Sequence, residues 1–225
     1  MSLWRAAGWV ALKDLRVELR AKDIVTTTGL FAVLVVIMAS LSFYVDRASA
    51  PRMAPGVLWI SVAFAGVLAM GRTWAREREE DVITGLLLTP VPRAAIYLGK
   101  AAAALAFLAV VEVALVPLVA VLFHTDLGPV LGRVVLLLLL GTVGFVAAGT
   151  LFSAMTVRTG ARDLALSVVL FPLATPALLS GVVATREALL GAPLSDALAW
   201  MRILLAFDVL FLAAGVALFE TLMSD

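Results

Sequence analysis

The sequence predicts an all-α polytopic membrane protein: six transmembrane helices preceded by an N-terminal amphipathic helix at the membrane surface. Three observations carry that reading. Of 225 residues, 63% are hydrophobic and 15% charged, where a soluble domain has about 45–50% and about 25%; the mean hydropathy is +1.10. Six apolar stretches each approach the ~20 residues needed to cross a bilayer. The residues ahead of the first stretch divide into an apolar and a basic face. The loops are short, so residues 1–225 form a single transmembrane domain, and no internal repeat stands out. A net charge of +1 provides no footprint for nucleic acid. The absence of cysteine excludes thiol chemistry and disulfides. The charges running through Asp23, with no small-residue cleavage site after the first apolar run, argue against a removable signal sequence.

Residues 1–23 form the surface helix. At 100° per residue, Trp4, Ala7, Gly8, Ala11, Leu12, Leu15 and Leu19 share one face, with Arg5, Lys13, Arg16 and Arg20 opposite. Glu18 and Lys22 have the spacing of a helical ion pair. Such a helix either lies in the headgroup region with its basic face toward anionic lipid or packs on a partner protein.

The spans are expected at 24–45, 55–74, 94–123, 130–156, 164–184 and 201–222, the third and fourth long enough to tilt or project. Lysine and arginine counts set the orientation. The N-terminal segment, the loop after span two and the loop after span four (Arg158, Arg162) carry twelve; the opposite side carries five. Both termini are therefore expected in the cytoplasm. Trp4, Trp9, Trp74 and Tyr97 fall at the inner interface, and Tyr44, Trp59 and Trp200 near the outer one. In span four, Gly141, Gly144 and Gly149 suit close helix approach, either within the subunit or at a dimer seam. Pro172 and Pro176, four apart in span five, are expected to kink or break it near mid-membrane. Segment 185–200, broken at Gly191-Ala192-Pro193, reads as a re-entrant hairpin or a surface helix.

Residues 74–100 are the only long charged segment. Arg76-Glu77-Arg78-Glu79-Glu80-Asp81 is followed by the apolar Val82, Ile83, Leu86, Leu87 and Leu88, then by Pro90 and Pro92. The prolines should stop a helix near Leu88. An element charged at one end and apolar at the other lies on the membrane surface and offers its charge to something in water. The cytoplasmic element 75–93, preceded by Trp74 and containing Leu86 and Arg93, is thus a docking candidate; otherwise it is a solvated loop.

Polar groups inside spans are costly. Glu112 in span three and Asp208 in span six, with Pro172 and Pro176, are candidates for a substrate or ion path; the alternative for each carboxylate is protonation or a hydrogen bond to a neighbouring helix. His124, the one histidine, sits at the outer end of span three as a candidate haem contact or an ordinary loop residue. No catalytic set is present, and no enzyme activity is expected. Gly99-Lys100 is not a P-loop, because Ala101 follows it and Ala94 replaces the required earlier glycine. Any ATP must be bound by a separate subunit.

The stretch Arg76-Glu77-Arg78-Glu79-Glu80…Gly85-Leu86-Leu87-Leu88-Thr89-Pro90-Val91-Pro92-Arg93…Leu98-Gly99-Lys100 resembles the signature of ABC-2-type permeases. The small size, Arg162-Asp163 and the run Leu170 to Leu179 resemble the CcmB family, membrane subunits of the haem exporter of cytochrome c maturation, over essentially the whole chain. Within the loop pattern of many CcmB proteins, Asp81, Val82 and Thr84 depart from the family's glycine, serine and glutamate. The resemblance implies an ABC-2-type permease architecture in the bacterial inner membrane, likewise paired as a homodimer. It implies an ABC ATPase subunit of the CcmA type, a haem-handling protein of the CcmC type and a small accessory subunit as partners, with haem as the substrate and ATP in the partner. It implies that Trp74, Arg76, Glu77, Arg78, Glu79, Glu80, Asp81, Leu86, Pro90, Pro92 and Arg93 couple to the ATPase. The competing readings are an ABC-2-type permease for a drug, lipid or ion, and a non-transporting scaffold for cytochrome-maturation factors.

Overall fold

A computed structural model describes residues 2–43, 49–79, 82–159 and 164–222. Helix α1 spans Leu3–Ala21, α2 Asp23–Ser42, α3 Ala50–Glu79, α4 Val82–Leu87, α5 Arg93–Leu122, α6 Leu131–Thr159, α7 Leu164–Leu189 and α8 Leu194–Leu222. Six of these, all but α1 and α4, are long and apolar enough to cross a membrane. The chain is a multi-pass membrane protein of all-α architecture.

Helix α6 is central and touches α3, α5, α7 and α8, while α2 lies outside against α3 and α5. Lipid is as apolar as leucine, so small residues and polar contacts hold such a bundle together. Three of the four glycines of α6, Gly141, Gly144 and Gly149, meet neighbours within the subunit; Gly132 does not. A β-carbon at Gly141 would strike the Trp59 ring, one at Gly144 would strike Phe207 and Asp208, and one at Gly149 would strike Met70. Packing within the chain therefore accounts for them. Large apolar side chains, including Leu30, Leu34, Met38, Val113, Val121 and Val209, are left exposed on the outside of the bundle.

Several sequence expectations change. Trp59, Trp74 and Tyr97 are interior residues, 1%, 4% and 0% exposed, rather than members of interfacial belts. Trp59 donates its indole N–H to Thr185 Oγ1 at 3.0 Å. The Tyr97 hydroxyl lies 3.0 Å from the Ala147 carbonyl and 3.1 Å from that of Phe211, so one side chain joins α5, α6 and α8. For Trp59 and Tyr97 a buried polar handle finds a partner on another helix. Tyr44 lies outside the described residues. Helix α7 continues through both prolines. Within it, Thr175 Oγ1 donates to the Phe171 carbonyl at 2.8 Å and Ser180 Oγ to the Pro176 carbonyl at 2.7 Å. Segment 185–200 is no separate hairpin: α7 runs to Leu189, Gly191 turns the chain at φ +80°, and α8 starts at Leu194.

The surface helix also docks differently. Ala6, Ala7, Val10, Asp14 and Glu18 are its buried face, set against α5, so Ala7 leaves the lipid-facing group. Its apolar outer sector is Trp4, Leu12 and Leu19. Lys22, at φ 55° and ψ 18°, turns the chain from α1 into α2. Glu18 makes no helical pair with it; Glu18 Oε1 instead accepts the Val25 N–H at 2.8 Å and caps α2.

Candidate functional site

The charged run after α3's apolar part does not form a separate surface helix. Residues Ala75 to Glu79 contain nothing that breaks a helix, and α3 carries on through them. At about 1.5 Å per residue, its 30 residues reach about 45 Å, against a hydrocarbon core of about 30 Å. The last turns of α3 and the first turns of α5 thus stand beyond hydrocarbon at the end of the bundle where α1 lies.

There four charges alternate around a closed cluster. Lys100 Nζ lies 2.7 Å from Glu77 Oε1 and 3.3 Å from Asp14 Oδ2. Lys13 Nζ lies 2.6 Å from Asp14 Oδ1 and 3.2 Å from the same Glu77 oxygen. The Lys100 ammonium also stands 5.4 Å from the centre of the Trp74 ring, close enough for a cation–π contact. The Lys100, Asp14 and Glu77 side chains are 1%, 7% and 8% exposed, while Lys13 is 36% exposed. Burial lowers the Lys13 ammonium's proton affinity, but the Asp14 and Glu77 carboxylates more than offset this and hold its pKa above the ordinary lysine value. The cluster ties α1, α3 and α5 together. Gly99 makes the close approach of α1 possible: a β-carbon there would sit 2.6 Å from the Ala7 carbonyl oxygen and 2.6 Å from Val10 Cβ. Gly99-Lys100 is a seat and a counter-ion for α1.

The remaining residues of the segment take different positions. Trp74 and Tyr97 pack with Ile96, Leu151 and Phe219, and Leu86 of α4 and Val91 lie against that group. Thr89 Oγ1 donates to the Leu86 carbonyl at 2.6 Å and closes α4 ahead of Pro90. Pro92, at φ −55° and ψ 132°, starts α5. Arg93 Nη1 donates to the Glu220 carbonyl at 3.2 Å, pinning the start of α5 to the end of α8. Arg76 is half-buried and lines a cavity of about 140 Å³ with Lys13, Asp14, Glu18 and Glu77. Glu79, Pro90 and Pro92 are exposed. Glu80, Asp81, Arg162 and Asp163, with the Arg78 side chain, lie outside the described residues. Of the anions expected to reach into water, Glu77 is turned inward and Glu79 outward.

The intramembrane candidates do not converge on one site. The Thr142 hydroxyl of α6 donates to Glu112 Oε1. Glu112 also lines an apolar groove of about 640 Å³ between α5 and α6, together with Val113, Pro117 and Leu138, and Asp126 stands at the far mouth. Asp208 is buried on α8 against Gly144 of α6. Pro172 and Pro176 are exposed on the outer side of α7, away from the interior. His124 is exposed at a left-handed corner, φ 51°.

Sequence reasoning missed Lys13, Asp14 and Lys100 as a set. The available signal was Lys100, which falls inside the span expected at 94–123 rather than in the charged run before it.

The fold and this site define a six-span membrane protein whose surface helix is ion-paired to the charged end of its second span. The family model described as CcmB protein matches residues 5–221, and the chain belongs to that family. It is 29% identical over 206 residues to Heme exporter protein B of Bradyrhizobium diazoefficiens, covering 90% of both chains. It is 27% identical over 190 residues to that of Paracoccus denitrificans, covering 84% of this chain and 87% of the relative. It is 29% identical over 175 residues to that of Rhodobacter capsulatus, covering 78% and 80%.

Proposed function

We propose that this chain is the membrane permease subunit of an ABC transporter for haem export, or release of haem-loaded chaperone, in cytochrome c biogenesis. Family membership and relatives named Heme exporter protein B support the haem assignment. The observation that carries the coupling is the Lys100–Glu77 contact at 2.7 Å. It makes the protruding end of α3 move with α5 and α1, so a push on the adjoining 79–93 segment reaches three helices at once. The push comes from ATP hydrolysis in a separate subunit of the CcmA type; this chain hydrolyses nothing itself. A CcmC-type haem-handling protein, a small accessory subunit and a second copy of this chain complete the complex. It sits in the bacterial inner membrane with both termini cytoplasmic. One exposed histidine and no cysteine offer haem iron few ligands, which favours transmission of force over a resident haem site.

Purification from native membranes in mild detergent, followed by mass spectrometry, tests this reading. An ABC ATPase together with a haem-handling membrane protein is the expected yield. An ATPase alone would reopen the substrate, and neither, with the chain intact, would overturn the coupling. Reconstituted vesicles that moved haem with only this chain and the ATPase would overturn the force-transmission reading.

A further inference from the structure

Helix α1 is divided into three sectors with three different demands. Ala6, Ala7, Val10, Asp14 and Glu18 are taken up by the bundle. Trp4, Leu12 and Leu19 are 76%, 37% and 72% exposed and, in a membrane protein, are covered by hydrocarbon. The third sector, flanked by the other two, holds Arg5, Trp9, Arg16 and Arg20, all exposed. With the apolar sector in hydrocarbon, this sector lies at headgroup depth, where a 58% exposed indole such as Trp9 also prefers to be. Its surface is concave: Trp9, Leu12, Lys13, Arg16, Val17 and Arg20 line a hollow of about 260 Å³ into which three cationic side chains contribute. Lys13 has a second role, because it also lines the inner cavity that holds Asp14 and Glu77.

We propose that this hollow binds the phosphate of an anionic phospholipid, between Arg16 and Arg20 with Trp9 beside it, and that Lys13 links its occupancy to the seating of α1 on α3 and α5. An acidic protein surface would satisfy the arginines equally, but not the apolar sector that adjoins them. A phosphate in the hollow adds an anion on the outer side of Lys13, which already has Asp14 at 2.6 Å and Glu77 at 3.2 Å on its inner side. The lysine is then held from both sides, and α1 is held with it.

The test uses the full chain, purified and placed in nanodiscs of phosphatidylcholine alone or mixed with phosphatidylglycerol. Retained lipid is counted by native mass spectrometry, and α1 amide exchange is followed in both. The wild type should retain phosphatidylglycerol preferentially. Arg16→Gln with Arg20→Gln should lose most of that preference, without changing helicity or melting in detergent. Arg5→Gln with Lys22→Gln removes the same charge outside the hollow and should leave most of the preference intact. Amides of α1 should exchange more slowly with phosphatidylglycerol present, in the wild type and not in the Arg16/Arg20 variant. Equal losses in the two double variants would replace a discrete site by diffuse attraction and overturn the proposal. Unchanged exchange despite lipid retention would overturn the link through Lys13. Protection of the hollow only by an added acidic protein would assign it to a protein partner instead.

Discussion

Lys100 and Glu77, 23 positions apart in the chain, meet at 2.7 Å with their side chains 1% and 8% exposed. Such a pair contributes less net stability than its Coulomb energy suggests, because both ions gave up water to form it; removing one partner leaves the other stranded. Lys100→Ala should therefore cost about 3–5 kcal/mol, read as the melting temperature of the purified chain. Lys100→Met combined with Glu77→Leu should recover most of that loss. A double variant as unstable as the single one would show that the charges do more than cancel.

Reversal of the acidic run separates structure from docking. Glu77→Lys would place a third ammonium beside Lys13 and Lys100, so it should unseat α1 before it affects any partner. Glu79 is exposed, and Glu79→Lys should leave melting within about 0.5 kcal/mol, as surface changes do, while weakening capture of the ATPase. Undiminished capture would remove Glu79 from the interface.

Gly99→Ala should lift α1 from α5. The added carbon would lie 2.6 Å from a backbone oxygen, which cannot swing aside as a side-chain tip can. A cost of about 1–3 kcal/mol is expected, seen as faster amide exchange across Leu3–Ala21 with little change in α6 and α8.

Tyr97→Phe keeps the ring and removes the hydroxyl that two carbonyls share. The loss should be about 1–2 kcal/mol. A Tyr97→Phe chain that melts like the wild type would mean the two carbonyls find water or another donor.

The seating of α1 should be insensitive to pH over the neutral range. Lys13 has its folded pKa raised, so the stability it contributes is complete below the unfolded lysine value of about 10.4. It is lost only as pH climbs through the higher folded value. Exchange in α1 corrected for intrinsic rate should be flat from about pH 6 to 9 and should rise under strong alkali. Loosening anywhere within that window would remove Lys13 as the group that sets the pH dependence.

The helical class and the six spans were legible because long apolar runs have one stable solution in a membrane. The sides of the helices were harder to read. Trp59, Trp74 and Tyr97 follow the composition of an interfacial belt, yet each is buried, because an indole or phenol is equally at home in a bundle that supplies an acceptor or a cation. Ala7 fits either a lipid face or a packed face, and only Gly99 on another helix decides between them. Lys100 looked like the flank of a loop, since its partners come from 86 residues earlier and from the end of a different span. Glu112 was visible as a buried carboxylate, but its donor Thr142 was not, as nothing in the one-dimensional pattern pairs α5 with α6 at that height.

The Trp59 ring occupies space that two other helices vacate, at Gly141 of α6 and Gly181 of α7. The three positions consequently share one steric allowance and cannot drift independently through evolution. A methyl at either glycine becomes tolerable only in a background where position 59 has shrunk, and a smaller residue at 59 relaxes both glycines together. Across related sequences these three sites should vary as a linked triplet, and a combinatorial library at 59, 141 and 181 should recover folded members along that diagonal.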